Sequence, residues 1–484
     1  MRHNNEIERT PALEESTALR LSYEEVSLTA LLTRSLAKTA LRWAWLTASA
    51  QNHLSARAGN SDVQRAAATA FLLRVAGAGI ALISQACLAR WMGAHEFGIY
   101  AYVWTWVILL GSLIDFGFAT TAQRFIPEYL GHKEFDLLRG FLIGSRWLVM
   151  AIATALAILA AAVIRMTESW VDYFVVLPLY LGCLTLPFYG LTMVQDGIAR
   201  SFNWTVLALM PLYIIRPLAI IAVMAGVYIA GFSTNAETAI IASVIATWAT
   251  ALFQLYVLNR KLRGAVPVGV KSFATRSWLV TSLPVFMVGS FYFMLTYVDV
   301  LILEGFRPPQ EVAIYYAATK TLALVAFIYF SVWAVAARKF SEYHVAGDRE
   351  KLAAFLASSI RWTFWPSLAA TAVMLVLGKP VLWLFGPEFV EGYALLPLLS
   401  IGLIARASVG PAERLLNMLG EQKVCAYVYA GAFALNFAAC FALVPVYGMT
   451  GAAISTSLSL IVESAALYLV TRSRVGLHAF VFAR

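Results

Sequence analysis

From about residue 66 onward the chain is a succession of apolar runs of 18 residues or more, and this constrains its fold more than any other feature. A helix rising 1.5 Å per residue crosses a hydrocarbon core of about 30 Å in such a length. In lipid, backbone N–H and C=O groups find no water, so these runs must be helical. Twelve are expected, at about 67–91, 98–118, 141–164, 172–195, 204–230, 238–258, 278–303, 312–337, 359–378, 392–410, 424–444 and 449–471. The composition agrees: 61% hydrophobic, 13% charged and a mean hydropathy of +0.74 lie far from the soluble range of about 45–50% apolar and about 25% charged. The chain is therefore read as an all-α polytopic membrane protein.

The runs come in two sets of six, because part of the chain repeats. Glu96 to Trp147 aligns with Glu311 to Trp362: Glu96, Ile99 and Tyr100 match Glu311, Ile314 and Tyr315, and Arg124-Phe125 matches Lys339-Phe340, all at a shift of 215. Small insertions move the shift to 214 at Glu128-Tyr129 against Glu342-Tyr343, and Arg146-Trp147 against Arg361-Trp362 restores 215. Six spans per copy give both copies the same orientation, the parallel type of transporter repeat. The expected division is a cytosolic amino-terminal tail over 1–65, a first six-helix bundle over 66–260, a basic linker over 261–277, a second bundle over 278–472 and a cytosolic tail over 473–484.

Lys and Arg set the orientation, since cytoplasmic loops carry them in excess. One set of loops holds Arg124, Lys133 and Arg139; Arg200; Arg260, Lys261, Arg263, Lys271 and Arg276; Arg338, Lys339, Arg349, Lys351 and Arg361; and Arg406, Arg414 and Lys423. The other holds only Arg90, Arg165, Arg307 and Lys379. Both termini are thus expected in the cytoplasm. The net charge of +9 belongs to these loops and not to a nucleic-acid surface. The start, MRHNNEIERTPALEES, is polar and is not read as a signal peptide. Leu28, Leu32, Leu36 and Trp43 in the tail lie near one helical face, with Arg34, Lys38 and Arg42 recurring every four residues. That pattern suits a helix on an anionic membrane surface, and equally a solvated basic linker. Cys87, Cys183, Cys425 and Cys440 all lie in apolar runs, and without a CxxC or Cys/His cluster no metal site or cofactor is expected.

Charges inside spans are expensive, so they face a cavity or a partner and are functional candidates. Arg74 falls about eight residues into the first span and Arg216 near the middle of the fifth, between Pro211 and Pro217. A bent or unwound helix is expected there, lining a site. A cationic patch of Arg74 and Arg216 suits phosphate, for which guanidinium presents a fork of donors. The structural alternative bonds both to carbonyls freed at the bend. Lys320 lies in the outer part of the eighth span, and Arg146 and Arg361 lie close enough to cytosolic ends to snorkel. Buried acids are few: Asp115, Asp299 and Glu463 are candidates for ion coupling or ion pairing, with Asp299 expected to pair with Lys320. Asp196 and Arg200, echoed by Glu413, suggest a cytosolic gate together with Arg124, or a structural network.

The segments ARWMGAHEFGIYAYVW and QRFIPEY in the first half resemble the bacterial polysaccharide transporters that include O-antigen and exopolysaccharide repeat-unit flippases. In the second half YVDVLILEGFRPPQEVAIYYAATK and LFGPEFVEGYALLPLLSIGLIARASVGPAERLLNMLGEQK resemble the same family. The resemblance covers about residues 66 to 472. It implies a V-shaped, two-bundle exporter of the multidrug/oligosaccharidyl-lipid/polysaccharide superfamily, moving undecaprenyl-diphosphate-linked oligosaccharide across the inner membrane by alternating access. It also implies membrane lipids, a polysaccharide polymerase and glycosyltransferases as partners. The family's cationic cavity is similar in kind to Arg74 and Arg216, with Arg146 and Lys320 as further matches. The long amino-terminal tail departs from the family's usual form. The first alternative is a drug/cation antiporter of the same superfamily, which would present a carboxylate near the midplane, where this chain has Arg216. The second is a membrane-embedded polymerase, ligase or glycosyltransferase, which needs acids, bases or metal ligands gathered on a substrate-facing surface. Short outward loops without an HxxE or DxD cluster count against it.

Overall fold

The computed structural model describes residues 61–170 and 172–482, and the surface-helix expectation for residues 28–43 lies outside them. Helix α1 runs Ser61–Ile114, followed by α2 (Phe118–Gly131), α3 (Phe135–Thr167), α4 (Tyr173–Ser201), α5 (Thr205–Ile229) and α6 (Ala236–Ala265). After a linker come α7 (Thr275–Phe306), α8 (Pro309–Val345), α9 (Arg349–Trp383), α10 (Pro387–Val409, opening as a 3-10 helix), α11 (Ala412–Met418) and α12 (Gln422–Val470). Among the described residues there is no strand, and nine helical segments are long and apolar enough to cross a membrane. Helix α8, which covers the eighth expected run, is not in that set.

Two expected inter-span loops shrink to a single residue. Helix α1 carries the first two runs and changes direction at Gly93 (φ 76, ψ 167), and α12 carries the last two and changes at Gly448 (φ 56, ψ −136). Side chains with a Cβ are strained at positive φ, so glycine makes each corner without a loop. Within residues 69–484, α4 packs on α3 and α6, and α5 on α6. Separately, α12 packs along α7 and α10, and α9 along α8 and α10. These form a first and a second helix group.

The repeated residues build equivalent joints. Glu96 accepts the amide of Ala236 at the start of α6 (2.8 Å), and Glu311 accepts that of Met449, just past the α12 corner (3.3 Å). One turn further along, the Tyr100 hydroxyl meets Ser243 (3.5 Å) and the Tyr315 hydroxyl meets Thr456 (3.3 Å). The copies diverge at the elbow. Phe116 (φ 48) and Gly117 (φ 76) break the first copy, and Asp115 accepts the Gly117 amide (3.0 Å). The aligned Phe330, Ser331 and Val332 contain no glycine, and α8 runs straight through them. A β-branched residue at the glycine position disfavours the left-handed turn.

The helix groups touch at both ends. Near Gly93, a Cβ on Gly98 would sit 1.8 Å from the Pro309 carbonyl oxygen, so two backbones meet there. Phe97 packs edge-on against Tyr316 and Phe389, and Arg90 donates to the carbonyls of Trp383 and Leu384 (2.9 Å each) while lying over the Trp383 ring. At the opposite, basic end Thr121 bonds Ser282 (2.9 Å), Phe116 stacks on Phe286 (4.4 Å) and the Trp278 indole donates to Tyr129 (2.9 Å).

Candidate functional site

Helix α5 is irregular where its prolines predict. Residues Pro211–Ile215 form a π-helical turn closed by the Arg216 amide on the Pro211 carbonyl. Pro217 has no N–H to give the Tyr213 carbonyl, which leaves that group outside the regular ladder. Gly77 of α1 packs against this spot: a Cβ there would lie 2.7 Å from the Tyr213 Cβ and 2.9 Å from its carbonyl oxygen. Arg74 stands three residues before Gly77, and Arg216 three after Tyr213, so the two arginines flank this contact.

The Arg216 guanidinium lies over the rings of Tyr189 (4.9 Å) and Trp104 (5.5 Å), drawing on their negative faces. Its Nη1 and the Nε of Arg74 are buried without a hydrogen-bond partner. Among the described residues neither guanidinium donates to the freed carbonyls, so the structural alternative fails here. Arg74 lies near Asp196, but Asp196 is already paired with Arg200 (2.6 Å). Two guanidiniums with unused donors can receive an anion with several oxygens, such as a phosphate.

The remaining candidates disperse. Arg146 does not snorkel; it is 8% exposed, turned between α3 and α6, and donates to Asn259 (2.7 Å), with Nε and Nη2 unpartnered. Arg361 does stay exposed. The expected Asp299–Lys320 ion pair does not form. Asp299 accepts from Tyr315 (2.5 Å), Thr456 (2.8 Å) and the Val300 amide (2.8 Å), while the Lys320 ammonium sits over Tyr316 (4.6 Å) and Tyr297 (5.5 Å). Three donors and two ring faces satisfy the two charges separately. Asp115 serves the elbow turn. Of the expected gate residues, Asp196 and Arg200 meet, Arg124 is exposed on α2 beside Glu128 (3.9 Å), and Glu413 accepts from Asn417 (2.5 Å) in the second group.

Arg406 escaped the sequence reading, which placed it among loop cations. It is on α10 inside the second group, 3.3 Å from Glu463 and over Tyr292 (5.1 Å) and Tyr329 (5.3 Å). Its position inside the expected run 392–410, four residues before the end, is the signal that marks it as a charge within a span. An apolar cleft of about 460 Å³ lies between the two groups, lined by Trp106 and Leu109 of α1, Met294 and Phe306 of α7, and Phe437 and Phe441 of α12.

Residues 64–342 match the family described as polysaccharide biosynthesis protein, and residues 284–442 match the MatE family. No curated protein matches the sequence at a significant level. Among solved structures the fold is similar to an inward-facing multidrug resistance MATE transporter of the MOP superfamily (16% identity, 84% of this chain and 94% of that one, TM-score 0.69). It is also similar to the lipid II flippase MurJ in an inward closed conformation (15%, 83% and 87%, TM-score 0.66). A third likeness is a MOP superfamily transporter from Pyrococcus furiosus whose binding pocket is described as reversed in polarity (14%, 85% and 96%, TM-score 0.63).

Proposed function

The chain belongs to the polysaccharide biosynthesis protein family, and from that premise we propose that it is a flippase for an undecaprenyl-diphosphate-linked oligosaccharide in the inner membrane. The observation that carries this reading is the Arg74 and Arg216 pair, whose unpartnered nitrogens flank the irregular turn of α5. A diphosphate offers two negative groups to two guanidiniums, and the planar fork favours bidentate contact. In this reading the glycan lies on the side of the arginines, away from the lipid. The polyprenyl chain stays in lipid along the apolar cleft between α1, α7 and α12. Alternating access then breaks the Gly98–Pro309 and Arg90–Leu384 contacts at one end while those at Thr121–Ser282 hold, or the reverse. Arg146 and Lys320 are assigned secondary places along the path. A polymerase and glycosyltransferases would act on either side of the step, with both termini in the cytoplasm.

The second reading, a drug/cation antiporter, draws on the MatE match and on the acids of the second group. A cationic drug would need a free carboxylate in the cavity, whereas Asp299 accepts three hydrogen bonds and Glu463 faces Arg406. The deciding experiment is a null mutant assayed for lipid-linked repeat units trapped on the cytoplasmic leaflet. Trapping that wild-type protein relieves supports the flippase. Normal export in the null, with increased drug sensitivity, favours the antiporter.

A further inference from the structure

We propose that the linker between α6 and α7 is a lipid-docking surface, with Val268, Val270 and Phe273 entering the bilayer interface and the cations around them binding anionic phospholipid headgroups. The inference goes beyond the flippase reading and does not depend on the cargo.

The linker is shaped before any lipid reaches it. From Val266 to Ala274 it has no helix, yet its backbone is fixed on the start of α3. Arg139 donates from Nε to the Val270 carbonyl and from Nη1 to the Pro267 carbonyl (2.7 Å each), while Nη2 meets Asp136, so the guanidinium fills the bend. The Ser272 amide donates to the Asp136 carbonyl (3.0 Å). A Cβ on Gly140 would lie 1.7 Å from the Ser272 carbonyl oxygen, and one on Gly269 would lie 2.5 Å from Arg139 Nη2, so these glycines let the linker close on α3. A surface already ordered loses little freedom when it binds.

What this fixed segment presents is apolar. Within six residues, Val268 is fully exposed, Val270 is 76% exposed and Phe273 is 57% exposed. Clustered apolar exposure of this kind marks a surface that a membrane or another protein covers. Depth decides for the membrane. The Phe273 ring lies beside Gly144 of α3, where a Cβ would stand 3.1 Å from it. One turn further along α3 is Trp147, 69% exposed, and its repeat counterpart Trp362 on α9 is 70% exposed. Exposed tryptophans on spans mark the level of the headgroups. The linker therefore runs along α3 at the interface and not in the water beyond it.

Charge supplies the chemistry of the partner. From 260 to 276 the chain carries Arg260, Lys261, Arg263, Lys271 and Arg276 and no acid. Lys261 lies over the Trp204 ring, and Arg263, Lys271 and Arg276 are exposed. Aliphatic side chains set among cations suit an anionic lipid surface, where the first enter the acyl boundary and the second meet the phosphates. A neutral groove on another protein would leave these cations without counter-charge. The linker also leads straight to Trp278, which donates to Tyr129 of α2 at the basic end. Lipid held here is thus coupled to a joint between the two helix groups.

The test is made on the full chain in nanodiscs holding one copy each, with the four native cysteines changed to alanine and an environment-sensitive fluorophore attached through Val268→Cys. His132→Cys, in the exposed turn before α3, is the reference for water. Quenching by acrylamide is compared in phosphatidylcholine and in phosphatidylcholine with about one third phosphatidylglycerol, where each cation near the surface favours the docked linker by about fivefold. In the anionic discs the Val268 label is expected to be quenched severalfold less than the His132 label. The variant Arg263→Gln/Lys271→Gln/Arg276→Gln is expected to lose that protection. Equal quenching at the two sites in anionic discs overturns the proposal. Protection that is the same in neutral discs and survives the triple variant overturns the role of anionic headgroups. A label exposed in single-copy discs but protected in crowded vesicles assigns the face to a second copy of this chain and overturns the lipid assignment. The readout needs no transport, so a failure here and a failure in the export assay are separable.

Discussion

Glu96 and Glu311 stand 215 residues apart and do the same thing, each taking the free amide at the start of the last long helical segment of its own helix group. The first amides of a helix have no partner within it, so a carboxylate supplied from another span acts as its cap. This explains why the duplication is best preserved at helix starts: those residues hold the ends of spans together.

Replacing either glutamate by alanine should lower stability by about 0.5–2 kcal/mol, the usual range for a lost cap. The two effects should add to within about 0.5 kcal/mol, because the sites share no partner. Thermal unfolding in detergent checks this. A loss for one variant and none for the other would remove the equivalence.

Arg216→Ala should reduce polymer export at least about tenfold while leaving the protein in the membrane, since a single charge-assisted contact to phosphate is worth more than about 1.4 kcal/mol. Arg216→Lys should retain part of the activity, because it keeps the charge and loses the fork. The measurement is lipid-linked repeat units remaining on the cytoplasmic leaflet. Normal export from a well-expressed alanine variant would count against the site.

Asp299→Asn should destabilise the second helix group by about 1–3 kcal/mol, because an amide presents a donor where the carboxylate accepts from Tyr315 and Thr456. Lys320→Met should not rescue it. Recovery of the melting temperature in the double variant would restore the direct ion pair that the geometry replaces.

Gly98→Ala should open the contact at the Gly93 end, because its methyl group would meet the Pro309 carbonyl oxygen at 1.8 Å. Backbone atoms cannot rotate away, so the helix groups must separate locally. A cysteine placed at Phe97, buried in the wild type, should then react faster with a water-soluble thiol reagent in a background without native cysteines. An unchanged rate would mean that the contact adjusts within one helix.

The apolar runs, their helical state and the duplication were legible in the sequence, because hydrophobic length and repeated residues are properties of the chain read in order. The irregular turn before Arg216 was legible too, since Pro211 and Pro217 act on their own helix. What lay beyond the sequence is which buried charges meet. Asp299 and Lys320 sit on consecutive spans at similar depth, and depth alone suggested a pair. Only the packing puts Tyr315 and Thr456 on the carboxylate and Tyr297 and Tyr316 under the ammonium. Arg406 and Glu463 are 57 residues apart, and their meeting depends on how closely Gly402 lets α10 approach α12. The sequence by itself determined how many apolar runs there are and that they come in two related sets. The tertiary structure decided the partners, because a long-range electrostatic contact depends on the rotation of each helix about its axis, which neighbouring side chains set together.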